Sequence, residues 1–237
     1  MANSDIVRLA VLIDADNASA SVAKELLEEV AKFGTATTKR AYGDWTTQNL
    51  TGWKEHLHRH GIQPMQQFAY TKGKNATDSA LIIDAMDLLY AGNVDGFCLV
   101  ASDSDYTRLA TRLREAGKTV IGLGERKTPE AFIAACDRFI FFEVLKAPAE
   151  EATSIPVADV PDLKDLLTHA IQETQRDTGW ALLAAVGSYI GKNNASFDPR
   201  NYGFKKLGEL VRKQPYVETK ETTDPSGLIQ LHVRLRL

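Results

Sequence analysis

Leu99 to Ala110 reads L-V-A-S-D-S-D-Y-T-R-L-A. An apolar run stops on two carboxylates, Asp103 and Asp105, and a helical pattern follows. The first apolar run of the chain ends the same way: L-A-V-L-I-D-A-D-N, Leu9 to Asn17, finishes on Asp14 and Asp16. A short, wholly apolar run that leads into an amphipathic stretch is the pattern of a strand buried on both faces of a parallel sheet. Acids at the carboxyl ends of such strands stand where open α/β sheets gather ligands, at the point where strand order reverses.

Working outward, the same alternation fills residues 8–142. It predicts strands over 9–13, 35–41, 63–68, 96–101 and 119–124, with a last edge strand over 138–142. Helices are expected over 20–33, 48–60, 77–91, 106–116 and 129–136, with Thr77 as a cap and Gly117 as a stop. Strands alternating with helices argue for an α/β fold around a mostly parallel sheet. K-A-P-A-E-E-A-T-S-I-P-V-A-D-V-P, Lys146 to Pro161, has three prolines and no period, so it reads as a linker. Beyond it the pattern changes to helices over 163–174, 181–192 and 205–213, then strands over 216–220 and 228–237 around D-P-S-G. Three helices and a hairpin suggest a small winged-helix α+β domain. The expected organisation is a domain over 1–145, a linker over 146–161 and a second domain over 162–237.

The chain has 237 residues, 44% of them apolar, enough for a medium domain plus a small one. Its net charge is −3, so nucleic-acid binding must come from a local patch. Two cysteines, Cys98 and Cys136, do not make a disulfide scaffold and suit a reducing compartment. No signal peptide or membrane span is evident, and a cytoplasmic protein is expected.

Asp14 and Asp103 come together if the two apolar strands are neighbours. Asp78, in the first turn of the helix expected over 77–91, points to the same sheet edge. Carboxylates at ~4 Å repel by about 4 kcal/mol at an effective dielectric near 20, so a cluster needs protons or a cation. Hard oxygen donors with few His or Cys nearby favour Mg²⁺ or Mn²⁺ over zinc. Such an ion on three or four aspartates makes a phosphodiesterase site. Asn17 can orient a water or a ligating carboxylate, and Lys74 can neutralise a phosphate. Set against this, Asp103 or Ser104 can be a plain helix cap and Asp16 a turn residue. Asp84, Asp87 and Asp95 are expected to be solvated or capping.

I-D-A-D-N, K-N-A-T-D-S-A-L-I-I-D-A, A-S-D-S-D-Y-T-R-L and G-K-T-V-I-G-L-G together resemble the NYN domain, a branch of the PIN-like nucleases, over residues 5–145. The resemblance implies a metal-dependent ribonuclease with a parallel sheet in the order 3-2-1-4-5. It implies that Asp14, Asp78 and Asp103 bind the metal, with Asp105 the adjacent acid and Asn17 the polar partner. Asp16 falls at a position that varies in the family. D-T-G-W-A-L-L-A-A-V-G-S-Y-I and F-D-P-R-N-Y-G-F-K-K-L-G-E-L-V resemble the LOTUS or OST-HTH domain, a winged-helix module associated with RNA or with protein partners.

The residues of that second module agree with RNA. Six basic residues lie between Lys192 and Lys213 (Lys192, Arg200, Lys205, Lys206, Arg212, Lys213) against two acidic ones. With Tyr202 and Phe204 among them, they suit phosphates and unpaired bases. Equally, Trp180, Phe197, Tyr202 and Leu207 are expected to fill a small core. Arg126 and Lys127, after the fifth strand, are placed to meet RNA phosphates. His56 and His60 share a helix face without an evident third ligand, and Trp45 and Trp53 can either pack or meet bases. An alternative is an inactive adaptor that binds RNA or protein. A phosphohydrolase of the haloacid dehalogenase type is disfavoured, because Ala18 stands where that family needs Thr or Val and there is little room for a cap domain.

Overall fold

The computed structural model describes residues 6–68, 76–146, 162–224 and 227–236. Lys74 and nearly all of the expected linker lie outside the described residues. The chain divides into two compact units, Met1–Lys146 and Ala147–Leu237.

The first unit is built on β1 (Arg8–Asp14), β2 (Thr35–Gly43), β3 (Gln63–Gln66), β4 (Gly96–Val100), β5 (Thr119–Gly124) and β6 (Arg138–Phe141). All neighbours pair in parallel, in the order β3-β2-β1-β4-β5-β6. The expected five-strand order is thus present and is continued by the edge strand β6. β1 and β4 sit side by side at the centre and are buried on both faces, which is why both read as unbroken apolar runs. Alternation along β1 divides the core. Ala10 and Leu12 face one cluster, and Leu9, Val11 and Ile13 the other.

Helices α3 (Ala76–Ala91), α4 (Thr107–Glu115) and α5 (Glu130–Ala135) close the first cluster with Leu81, Ala85, Leu109, Leu113 and Phe132. On the opposite face lie α1 (Ala23–Val30), α2 (Trp53–His60) and Phe142 of α6 (Phe142–Lys146). Two expected helices are shorter than their patterns. Ser19 accepts a hydrogen bond from the Ser21 amide and starts a 3₁₀ turn over Ala20–Val22 before α1. A second 3₁₀ turn, Gln48–Leu50, precedes α2, which Gly61 ends at φ 60°. Cys98 and Cys136 are buried and free.

The second unit contains α7 (Leu163–Thr174), β7 (Ala181–Leu182), α8 (Leu183–Asn193), α9 (Leu207–Arg212), β8 (Val217–Thr223) and β9 (Ile229–Leu235). Its antiparallel sheet runs β7-β9-β8. Ala181 and Leu182, expected to begin a helix, instead pair with Val233 and His232. The core joins Leu167, Ile171, Val186, Ile190 and Leu210 to Val217 and Val233, with Phe197, Tyr202 and Leu207 packed against it. Trp180 does not join that core, contrary to expectation. Its ring lies under the side chains of Arg234 and Lys220.

Candidate functional site

Asp14 ends β1 with its side chain fully buried. Its Oδ1 accepts from the Asn17 amide (3.3 Å), and its Oδ2 from Asn17 Nδ2 (2.8 Å) and the Tyr106 hydroxyl (3.3 Å). Burial pushes the carboxyl up to about 6. The Asn17 hydrogen bonds oppose this, while the charges of Asp78 and Asp16 add to it.

Asp78 lies in the first turn of α3, also buried, and its Oδ1 accepts from the same Tyr106 hydroxyl at 2.6 Å. The Asp14 and Asp78 oxygens are therefore no farther apart than those two hydrogen bonds laid end to end. Burial raises Asp78 above the ordinary carboxylate range, the Tyr106 bond lowers it, and the charges of Asp103, Asp105 and Asp16 raise it further. Five aspartates from three chain segments thus act on one another at the carboxyl ends of β1 and β4.

Sequence reasoning missed Tyr106. An aromatic at a helix start reads as core, and its ring does pack against Phe132. Only the fold reveals that its hydroxyl stands between two carboxylates. Burial, followed by the charge of Asp14 and the bond to Asp78, pushes that hydroxyl far above its ordinary value, so it remains a donor.

Asp103 caps the 3₁₀ turn Ser104–Tyr106 (Oδ1 to the Asp105 amide, 3.1 Å, and to Ser104 Oγ, 3.3 Å). Among the described residues its Oδ2 accepts no hydrogen bond. The capping role and the membership of the acidic cluster coexist. Asp105 is exposed in that turn.

Asp16 is exposed and accepts from Thr77 Oγ1 at 2.8 Å. Thr77 is therefore not the cap of α3, which already includes Ala76; it ties the loop after β1 to the helix that carries Asp78. The buried Trp53 ring donates to the Ala18 carbonyl (3.2 Å) and fastens the other side of that loop, while Trp45 donates to the Met65 carbonyl (3.1 Å). Both tryptophans pack.

Asp84 is neither solvated nor a cap. It pairs with Arg40 and accepts from the Tyr42 hydroxyl, joining α3 to β2. Asp95 binds the Arg8 amide (2.8 Å) and guanidinium (3.1 Å), and those hydrogen bonds lower its carboxyl to about 2.

The basic residues expected to meet RNA divide. Arg126 lies 5.4 Å over the Phe141 ring, and the exposed Lys127 pairs with Glu125 at 2.7 Å. Arg200 is held by Asp198 (3.0 and 2.7 Å) and braces its own 3₁₀ turn, Pro199–Tyr202. Lys192, Lys205 and Lys206 are exposed. The His56 and His60 rings stack with centroids 5.9 Å apart. Among the described residues, no three His, Cys, Asp or Glu side chains stand close enough to enclose a metal ion. At the acidic cluster, the Tyr106 hydroxyl lies between Asp14 and Asp78, and one oxygen of Asp103 is turned onto its own helical turn. No helix among the described residues is long and apolar enough to cross a membrane.

An NYN domain model matches residues 8–145, and an OST-HTH/LOTUS domain model matches residues 159–229. A protein of unknown function from Vibrio parahaemolyticus RIMD 2210633 shares the fold at a TM-score of 0.50 and 19% identity, over 59% of this chain and 94% of that one. An uncharacterized protein from Nitrosomonas europaea is 30% identical over 39% of this chain and 90% of its own, with a TM-score of 0.30. A protein from Chromobacterium violaceum is 41% identical over 35% and 88%, with a TM-score of 0.29. No curated protein matches the chain. With the sheet order, the acids at its switch point and both domain models in agreement, the chain belongs to the NYN family and carries an OST-HTH/LOTUS domain after its NYN domain.

Proposed function

We propose that the chain is a metal-dependent ribonuclease whose C-terminal domain binds RNA. The observation that carries this reading is the shared hydroxyl between Asp14 and Asp78, residues from different elements, with other aspartates supplying the charges that act most strongly on both. Like charges gathered in a buried place raise the free energy of the fold unless protons or a cation offset them, and at neutral pH a cation is the stronger partner.

The donor chemistry fits a hard divalent ion. Every candidate ligand is a carboxylate oxygen, which suits Mg²⁺ or Mn²⁺. Asp14, Asp78 and Asp103 would hold it, and would have to draw closer together than they stand here to do so. When bound, such an ion offsets the acidic charge, polarises a phosphodiester and lowers the pKa of a bound water. Asn17 fixes the orientation of the Asp14 carboxylate, and Tyr106 sets the spacing from Asp14 to Asp78. Asp105 adds negative charge at the mouth of the site. Lys74, Arg126 and Lys127 are assigned to RNA phosphates on the NYN domain, and Lys192, Arg200, Lys205 and Lys206 on the second.

The test is cleavage of labelled single-stranded RNA with Mn²⁺ by the purified full chain, beside Asp103→Asn and Asp78→Asn. The expected result is cleavage by the parent and a loss of about 100-fold or more in each variant. Equal cleavage by all three points to a contaminant. Cleavage by none favours an inactive adaptor that binds RNA or protein.

A further inference from the structure

The sheet of the second unit has two unlike faces. Val217, Thr219, Leu231, Val233 and Leu235 alternate toward the core, where α7, α8 and α9 pack. Glu218 pairs across the strands with Arg234, and Lys220 with His232, on the outer face. The Trp180 ring joins that outer face, with the Arg234 guanidinium 4.6 Å and the Lys220 ammonium 6.0 Å from its centroid.

Two local devices hold this group in place. The Trp180 carbonyl accepts from the Arg176 amide (3.0 Å), and the Gly179 amide donates to the Arg176 carbonyl (2.7 Å), with Gly179 at φ 74°, so the backbone under the indole is a closed turn. Glu218 Oε2 holds Arg234 Nε at 2.7 Å, which fixes the guanidinium above the ring. Arg236, exposed, also acts on the Glu218 carboxylate. Arg234 and Lys220 therefore flank the indole, and Arg234 and Arg236 the Glu218 carboxylate, on a chain whose net charge is −3.

We propose that this outer face binds single-stranded RNA, with an unpaired base extending the Trp180–Arg234 stack and adjoining phosphates meeting Lys220 and Arg236. Flat aromatic and guanidinium surfaces stack on any base, and flanking cations hold the backbone. A duplex keeps its bases paired and offers the stack nothing. The inference rests on the reading of the second domain as RNA-binding. It places the contact on a face that the basic run Lys192–Lys213 does not supply, and on residues of β9 that extend past the OST-HTH/LOTUS match.

The test is fluorescence anisotropy of the full chain with a labelled oligouridine of roughly twelve nucleotides, in EDTA so that no RNA is cut. A duplex RNA of equal length is the comparison. Trp180→Leu and Lys220→Glu are each expected to weaken single-strand binding on the order of tenfold, Trp180→Leu with little change in duplex binding. Trp180→Phe is expected to restore most of the loss. Circular dichroism verifies the fold, and the exposed Lys220→Glu serves where Trp180→Leu fails to fold. Parental affinity in both variants, with a loss in the Lys205→Glu, Lys206→Glu double variant, overturns this placement and keeps the RNA-binding reading. Equal losses of single-strand and duplex binding in Trp180→Leu overturn the stacking. No binding by the parent at low salt overturns both readings, and binding of an acidic peptide instead makes the face a protein site.

Discussion

Asp14 shows how one residue can oppose the fold that contains it. Its carboxyl is raised from an ordinary 3.8 to about 6, chiefly by burial. The folded chain therefore holds the proton more tightly than the unfolded chain. Stability present below about pH 3.8 is lost as pH rises through about 6, at a cost of about 3 kcal/mol once Asp14 is ionised. Asp14→Asn keeps the shape and removes the charge. It is expected to raise the melting temperature of the metal-free protein at pH 7.5 and to leave it little changed near pH 3.5. The same variant should lose the stabilisation that Mn²⁺ gives the parent at pH 7.5. Thermal melts at the two pH values, with Mn²⁺ and with EDTA, check both expectations, and a variant no more stable than the parent at pH 7.5 contradicts the burial argument. Asp14 was legible as a candidate because it ends an apolar run. Tyr106 and Asp84 were not, because their roles depend on partners 28 to 92 residues away that only the fold brings near.

Elements were legible where their pattern was forced by burial on both sides. Leu9–Ile13 of β1 and the whole of β4 carry no polar side chain because they are covered on two faces, and the acids at or after them mark the strand ends. β7 was invisible, since two residues carry no period and their pairing with β9 is a tertiary contact. α1 came out shorter because its first turn, after the Ser19 cap, is 3₁₀ and its last α-helical residue is Val30. Glycines on β5 are a different kind of signal. A Cβ on Gly124 would come 2.5 Å from the Ala101 carbonyl oxygen, and one on Gly122 would come 2.4 Å from the Phe139 ring. Gly124 thus lets β5 approach the backbone that leads from β4 to Asp103. Gly124→Ala is expected to destabilise by about 1–3 kcal/mol and lower the melting temperature by roughly 3–10 °C. It should also weaken the response to Mn²⁺, because the backbone that must move carries Asp103. Gly191→Ala, in α8 with open space around it, is the control and should be neutral or slightly stabilising. Equal melting temperatures for both variants would mean that β5 can shift without cost.

At the scale of the whole molecule, the charge balance decides how RNA can be held. A chain of net charge −3 gains little from its overall field, so affinity must come from the phosphates that particular cations neutralise. Each phosphate neutralised on a single strand changes the logarithm of affinity by about −0.7 per logarithm of salt concentration. Lys220, Arg234 and Arg236 are the cations of the outer sheet face, and Arg234 is already shared with Glu218. A strand held there alone, with phosphates on Lys220 and Arg236, is expected to give a slope near −1.4, about a 7-fold loss of affinity between 50 and 200 mM salt. If Lys192, Lys205 and Lys206 also meet the strand, the slope approaches −3.5 and the loss is roughly a hundredfold. Anisotropy titrations of the full chain in EDTA across that salt range separate the two. Lys220→Glu should then make the slope shallower, whereas Trp180→Leu should weaken binding at every salt concentration with the slope unchanged, since a stacked base releases no counterion. A parallel fall in slope for both variants would mean that the indole only supports the cations and meets no base.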